Sequence, residues 1–287
     1  MKTKQQTLWL LAALAAPAAH FSGSGWVMSL AAAAAVLPLT RIPKAWDGLS
    51  KPMAALQTVW LGAVTGMLLP AAAAYWPSDN DLAVPLTVLA LAAVTNAAAA
   101  PRVGAVLALC MGLLAIPGAV SGAAHLEPGW LRGWVAPWSW GLTLALLLTN
   151  LPAGGGGKRN AIYAIYAGIL AAALSALVQG TISAGVAASV SDPFYQTART
   201  LGYLEPVIAA AMTLGWYAMA DYLLQSARII ASGSGMRDMW ATVLAVGTAA
   251  GAVLIKVQPE RPVWALLALF FWVLHPFLMK IKKDEKT

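Results

Sequence analysis

The chain has 287 residues, of which 60% are hydrophobic and only 10% are charged, with a mean hydropathy of +0.71. Soluble domains carry roughly 25% charged residues, so this composition excludes a water-soluble enzyme and an independent extramembrane domain. The net charge of +7 is spread over short hydrophilic breaks rather than one face, which disfavours nucleic acid as a partner and favours a role in membrane topology.

Ten apolar segments, numbered 1 to 10 here, follow one another along the chain: 7–21, 25–40, 53–76, 82–100, 103–123, 135–152, 161–190, 203–227, 238–256 and 262–280. A spanning helix needs about 20 apolar residues, because each adds 1.5 Å across a core of roughly 30 Å. Segments 1 and 2 are shorter, so a single broken helix, giving nine spans, is the alternative to ten. Segment 1 follows two lysines as a signal peptide does, but the whole chain is equally apolar, and we expect a retained helix.

The basic residues distinguish ten spans from nine. With ten alternating helices and both termini in the cytoplasm, fourteen of the 18 Lys and Arg residues lie in inner breaks, and merging segments 1 and 2 loses this asymmetry. The four outer ones are Arg132, Arg199, Lys256 and Arg261. The sequence therefore predicts an all-α membrane protein of about ten transmembrane helices in one domain, 1–287. We expect it in the cell (inner) membrane, surrounded by lipid.

Ten helices divide into halves of five, about 1–125 and 130–287, which run in opposite directions through the bilayer. Such a 5+5 inverted repeat, as in LeuT/APC-like transporters, places its ligand between broken helices at corresponding positions. Segments 1 and 6, the first of each half, are both interrupted by proline and glycine. The backbone groups released there need partners that lipid does not offer. An outer turn between segments 1 and 2 is the alternative for the first interruption.

Polar and small residues beside these interruptions are the predicted ligand contacts. The geometry of the spans suggests His20, Ser22 and Gly23 at the end of segment 1, and Thr213 in segment 8. Free N–H groups at the start of a half-helix suit a carboxylate, and free carbonyl groups suit an ammonium group. Simple packing at the membrane interface is the alternative role for the histidine.

Two acidic residues of segment 8 are candidates for coupling or gating. Asp221 lies about 27 Å into the segment by the helical rise, which places it near the inner interface with Arg228 two turns further on. Glu205 begins the segment, where a carboxylate stabilises the helix dipole. The alternatives are a structural ion pair for the first residue and a structural capping role for the second. Segment 7 is long enough that Gln179–Thr181 or Gly185 could break it.

Motifs for catalysis and for cofactors are missing from the sequence. It contains no nucleotide-binding GxxxxGK[ST], no HExxH, no GxSxG and no paired aspartates on one helix. Its one cysteine, Cys110, cannot form an intramolecular disulfide or a cysteine zinc site. We therefore expect a protein that is not an enzyme and that uses neither a metal nor a cofactor.

Three stretches of the chain resemble the spore germination permeases, the B subunits of germinant receptors in the APC superfamily. They are PLTVLALAAVTNAAAAPRVGAVLALCMGLLAIP (85–117), WSWGLTLALLLTNLPAGGGGKRN (138–160) and DPFYQTARTLGYLEPVIAAAMTLGWYAMADYLL (192–224). They match that family's helices four and five, its sixth helix, and its extracellular turn with the eighth helix. The chain is shorter than the family and has Met219 near a position where the family often carries lysine.

The resemblance implies an inverted-repeat fold that binds an amino acid or similar small polar solute. Carried over from the family, the ligand wall on segment 6 is Ser139, Trp140, Gly141 and Thr143. The other germinant receptor subunits would be its partners, and the spore inner membrane its location. Germinant sensing is thus the leading hypothesis, with an active secondary transporter of amino acids or organic cations as the second. The third is a structural membrane subunit with a vestigial site.

Overall fold

The computed structural model of the chain describes residues 49–76, 80–94, 151–152, 158–187, 189–190, 192–200, 202, 205–257, 263, 266–267 and 270–278, together with Ala13 and Ala16. The described residues are helical, with no strand among them. Two helical stretches, Lys51–Tyr75 and Glu205–Gly233, are long and apolar enough to cross a bilayer. The predicted all-α class and a membrane location are therefore supported.

Seven helices are described, and we number them in chain order. They are α1 (Lys51–Leu68), α2 (Ala83–Val94), α3 (Lys158–Ile182), α4 (Ala184–Ala187), α5 (Pro193–Thr200), α6 (Glu205–Gly233) and α7 (Asp238–Leu254). A 3-10 turn, Leu69–Tyr75, continues α1 and contains Pro70. Proline has no N–H for the α-helical ladder, so the tighter helix begins where the ladder is interrupted.

Helices α1 and α7 run in the same direction and pack at very close range. A Cβ atom built on Gly62 would collide with the carbonyl oxygen of Ala245, and one on Gly66 with that of Ala249. Both contacts step by four residues, so the two helices keep this register over one turn. Small residues at the interface allow two backbones to approach in this way, as they do between helices in membranes.

Helix α6 runs opposite to α7 and joins it through a tight turn. The N–H of Met236 donates to the carbonyl of Ala231, and that of Gly235 donates to the carbonyl of Ser232. Gly235 has a φ of +80°, the left-handed conformation that glycine adopts without a Cβ penalty. The pair of bonds is a Schellman motif, which satisfies carbonyls at the end of α6.

Contacts at the two ends of this helix group agree with the predicted sides of the membrane. At one end the side chain of Lys51 lies beside Gly235, and both belong to breaks predicted to be inside. At the other end Lys256 forms an ion pair with Asp81 at 3.6 Å, and both belong to breaks predicted to be outside. Segments 3, 4, 8 and 9 therefore alternate in direction.

The observed helices differ from the predicted segments at several boundaries. Segment 3, predicted as 53–76, is helical over 51–75, and segment 9, predicted as 238–256, over 238–254. Segment 8 is six residues longer at its end than predicted. Segment 7 is broken at Ser183, whose φ is +66°, between the two predicted breakpoints. A turn of π-helix, Phe270–Leu274, lies in segment 10, two residues before Pro276.

The remaining predictions about topology concern residues outside the described ones. Segments 2 and 5 lie wholly outside, and segments 1 and 6 lie outside except for Ala13 and Ala16 and the two residues at 151–152. The ten-span count, the inverted repeat, the single domain and the position of the termini therefore remain predictions.

Candidate functional site

Segment 1 meets α6 beside a glycine. Ala13 and Ala16 are helical and buried, and a Cβ atom built on Gly215 would lie 2.7 Å from the Cβ atom of Ala16. Any larger residue at 215 would force the two helices apart. Pro17, where the predicted interruption of segment 1 begins, directly follows this contact in the sequence. The contact therefore places Ala16, the residue before the predicted interruption, beside Gly215 of α6.

Thr213, the predicted ligand contact on α6, is two residues before this glycine and therefore lies on a different face of the helix. Its hydroxyl oxygen accepts a hydrogen bond from the indole nitrogen of Trp76 at 2.6 Å. The same hydroxyl donates to the carbonyl of Ala209 at 2.9 Å. Both the donor and an acceptor position are thus in use, so a ligand that bonds to this hydroxyl would compete with the indole of Trp76.

A buried carboxylate, that of Asp192, is bonded to Tyr75, the residue before Trp76. Asp192 is 3% exposed and caps α5, because its Oδ1 accepts from the backbone N–H of Tyr195 at 2.8 Å. Its Oδ2 accepts from the phenol of Tyr75 at 2.8 Å. Pro193 occupies the first helical position, where a missing N–H costs nothing. One side chain therefore starts α5 and also ties it to the end of the first spanning stretch.

Tyr195 extends this network to the start of α6. Its phenol donates to Glu205 Oε1 at 2.9 Å, and its ring packs edge-on against that of Tyr75, with centroids 5.1 Å apart. Burial, followed by the hydrogen bond to Glu205 and its negative charge, raises the pKa of Tyr195. Arg199 Nε lies 3.8 Å from the same carboxylate oxygen. Helix α5 is thus held at both ends by carboxylates.

Asp221 lies in the interior of α6. The helix continues to Gly233, so Asp221 lies 16 residues after its start and 12 before its end, and its predicted position near the inner interface stays a prediction. Its side chain is fully buried. Arg228 donates instead to Thr242 Oγ1 at 2.9 Å and to the carbonyl of Ala93 at 2.8 Å. The Cα atoms of Asp221 and Arg228 are about 10 Å apart by the helical rise.

The candidate residues on α6 do not form one site. Glu205, Thr213 and Asp221 follow one another at intervals of eight residues, which is about 12 Å along an α-helix. Glu205 does begin the helix, as predicted. The other predicted ligand contacts lie outside the described residues: His20, Ser22, Gly23, Ser139, Trp140, Gly141 and Thr143.

Sequence reasoning missed the network around Asp192. An Asp-Pro pair is a recognisable helix start, so α5 could have been found from the sequence. The partner Tyr75 is 117 residues away and could not. Among the described residues, no three His, Cys, Asp or Glu side chains cluster as metal ligands would.

Comparison with known proteins gives no relative from which a function could be taken. No protein-family model matches the chain. No curated protein matches it either. The functional argument therefore rests on the residues and their geometry.

Proposed function

We propose that this chain is a transporter-like membrane subunit that binds an amino acid or a similar small polar solute. The site lies where the interruption of segment 1 meets α6, and the role is germinant sensing within a receptor complex. The observation that carries the proposal is the contact of Ala16 with Gly215. It supports an arrangement in which a Pro/Gly break adjoins α6, the helix that carries Thr213, as ligand sites in inverted-repeat proteins require.

Two features favour a small polar ligand at this place. A broken helix exposes N–H and C=O groups, which bind the carboxylate and the ammonium group of an amino acid. The hydroxyl of Thr213 can change partner from Trp76 to a ligand without leaving its own bond to Ala209. The solute would therefore have both backbone groups and a side-chain hydroxyl to bind.

The proposal includes the wider architecture. The ten helices would form a 5+5 inverted repeat with segment 6 as the opposite wall, and other germinant receptor subunits would bind the complex in the spore inner membrane. The subunit would need no metal, no cofactor and no catalytic group. An active secondary transporter of amino acids or organic cations is the second candidate, favoured by the buried carboxylate of Asp221 in mid-helix.

The full chain in detergent and in liposomes tests the proposal. Each amino acid is added separately, and the midpoint of thermal unfolding is measured for the wild type and for Thr213→Val. The matched control is Thr248→Val, because Thr248 also bonds the carbonyl four residues earlier and is also half-buried. At least one amino acid should raise the midpoint of the wild type and of the control, and should raise that of Thr213→Val less.

Uptake of labelled amino acid separates the alternatives. Stabilisation without uptake under a proton or sodium gradient is the expected result for a sensor. Accumulation in the liposomes would establish the secondary transporter instead. Absence of stabilisation by every amino acid, with stable co-purification of other subunits, would leave a structural subunit with a vestigial site.

A further inference from the structure

Gln57 is a buried amide on α1 that the proposed site does not use. The side chain is fully buried, and neither Nε2 nor Oε1 has a hydrogen-bond partner among the residues that the structure describes. Buried polar groups in folded proteins are nearly always bonded to protein or to ordered water. An amide left without a partner loses its hydration and gains nothing in return. Gln57 therefore calls for a physical explanation.

The amide points into the helix group and not toward lipid. Leu56, one residue earlier, is 50% exposed, whereas Gln57 shares a helix face with Leu61, Val64 and Leu68, which are all buried. The neighbouring Thr58 satisfies its own hydroxyl by bonding the carbonyl of Ala54 at 2.8 Å. The side-chain amide of Gln57 cannot satisfy both its donor and its acceptor by bonding to a carbonyl of its own helix. Its partners must come from across the interior.

A second buried polar atom without a partner occurs on a helix that touches α1. The ring of Trp60 packs against that of Phe271 at 5.7 Å, and Phe271 belongs to the π-helical turn. Four residues later, Nδ1 of His275 is buried and has no hydrogen-bond partner among the described residues. Turns of π-helix occur often at functional sites. In the predicted ten-span topology segment 10 runs opposite to segment 3, which would put Gln57 and His275 on the same, inner side of the aromatic contact.

We infer that Gln57 and His275 mark a second, inner site that binds a small zwitterion such as an amino acid. The carboxylate of the solute would accept from Nε2 of Gln57, and its ammonium group would donate to Oε1 of Gln57 and to Nδ1 of His275. A net-neutral solute suits the position, because burying an uncompensated ion is costly. On α1 the nearest basic residue is Lys51, about 9 Å away along the helix. The inference rests on the proposed function for the class of solute.

The inner site is distinct from the one beside Thr213. Gln57 is 19 residues before Trp76 along α1 and its 3-10 continuation, which is about 30 Å by the rise of the two helix types. Two binding sites near opposite ends of one helix fit a path for the solute across the membrane. The outer site would be filled from outside and the inner site from the cytoplasmic side.

Cysteine labelling of the full chain in membranes tests the inner site. Cys110 is the only cysteine, so a Cys110→Ala background gives single-cysteine variants Gln57→Cys and, as a matched control, Leu61→Cys, which is equally buried one turn away. Methyl methanethiosulfonate is small and neutral and reacts with the thiolate, which requires a polar environment. Gln57→Cys should react about tenfold faster than the control, since burial in apolar surroundings raises a thiol pKa.

Protection then identifies the occupant. A mixture of amino acids lacking cysteine should slow labelling of Ala54→Cys severalfold, because Ala54 is equally buried and lies one turn before Gln57, whose amide this variant keeps. The mixture should not slow labelling of Ala54→Cys combined with Gln57→Leu. Labelling of Ala54→Cys that the mixture does not slow would mean that only water enters, and equal rates for Gln57→Cys and Leu61→Cys would mean dry packing; either result overturns the inference. If Gln57→Cys does not fold, Gln57→Leu replaces it and should keep the unfolding midpoint of the wild type while responding less to amino acids.

Failure of the outer site can be told from failure of the inner one. Thr213→Val is combined with Ala54→Cys, and protection is measured again. Protection that persists while Thr213→Val still responds normally in thermal unfolding contradicts the proposed outer site but keeps the inner one. Absence of protection at Ala54→Cys, while Thr213→Val responds less than the wild type in thermal unfolding, contradicts the inner site and leaves the proposed function intact.

Discussion

The phenol of Tyr75 donates a hydrogen bond to Oδ2 of Asp192 at 2.8 Å and joins two residues that are 117 positions apart. Tyr75 ends the first spanning stretch, and Asp192 starts the short helix α5 that precedes the second. Both side chains are buried. The bond therefore links one end of each of the two long apolar helical stretches through α5, a short helix between them in the chain.

Removing the phenol should weaken this link. Tyr75→Phe is expected to lower the free energy of unfolding by about 1–3 kcal/mol, since it leaves a buried carboxylate oxygen without its donor. Tyr166→Phe, which removes a half-buried phenol on α3, is the control and should change stability by less. Denaturant titration of both variants in detergent measures the difference. Equal effects of the two substitutions would show that the Tyr75–Asp192 bond contributes nothing.

The close packing between α1 and α7 predicts that glycine-to-alanine substitutions change stability by very different amounts at different positions. Gly66→Ala would place a Cβ atom against Ala249 and 2.7 Å from the Cβ atom of Ala252, and overpacking of this kind costs about 1–3 kcal/mol. Gly251→Ala is the matched control, because no atom of the residues that the structure describes lies within 4 Å of its Cβ position. It should be neutral or stabilise by up to about 1 kcal/mol through helix propensity. The unfolding midpoints of the two variants give the comparison, and similar midpoints would contradict the observed helix contact.

Arg228 ties three helices together. It extends from α6 and donates to Thr242 on α7 and to a carbonyl at the end of α2. Arg228→Met is expected to cost about 1.5–3 kcal/mol, the usual value for hydrogen bonds from a charged group. Arg237→Met, at an exposed position before α7, should cost far less. A variant at 228 as stable as the one at 237 would exclude this role.

The tyrosine on α5 should make stability depend on pH at the alkaline end. Because the pKa of Tyr195 is raised in the folded chain above its ordinary value of about 10, the neutral phenol stabilises the fold below that pH. This contribution is lost as the pH rises through the folded pKa. Phenolate absorbance during an alkaline titration, compared between the wild type and Tyr195→Phe, gives the pKa of Tyr195.

Glu205→Gln separates the two causes of the raised pKa of Tyr195, which are burial and the neighbouring carboxylate. The substitution removes the negative charge near the phenol but leaves its burial, so the pKa of Tyr195 should fall part of the way toward its ordinary value. A pKa that rises in Glu205→Gln, or a Tyr195 that titrates at its ordinary value in the wild type, would contradict the network described around α5.

The helices that the sequence located well are those whose ends carry a local chemical signal. Lys51 and Pro52 mark the start of α1, and Asp238 after a glycine-rich turn marks that of α7. Segment 8 was predicted to end at 227, but Arg228 is satisfied by neighbouring helices and α6 continues past it. A hydropathy profile marks a charged residue as the end of an apolar segment, because the profile contains no information about the neighbouring residues that bind and bury that charge.

The candidate site was predicted less completely than the helices. Pro17 and the glycines after it signal an interruption, and Thr213 is recognisable as a polar residue in an apolar segment. That Ala16 contacts α6 at Gly215, two residues from Thr213, depends on how two distant segments pack. The roles of Trp76 and Asp192 depend on side-chain contacts over more than 100 positions, which periodicity and composition do not encode.

By itself the sequence determined that this chain is helical and apolar enough for a membrane, because composition and segment length constrain those properties residue by residue. The alternation of segments 3, 4, 8 and 9 also followed from where the basic residues lie. Only the tertiary structure decided which glycines are contact points, that Asp221 is buried in mid-helix, and that Gln57 faces the interior. Each of these depends on the surface of a neighbouring helix, and a helix encodes its own exposed and apolar faces but not the neighbour that covers them.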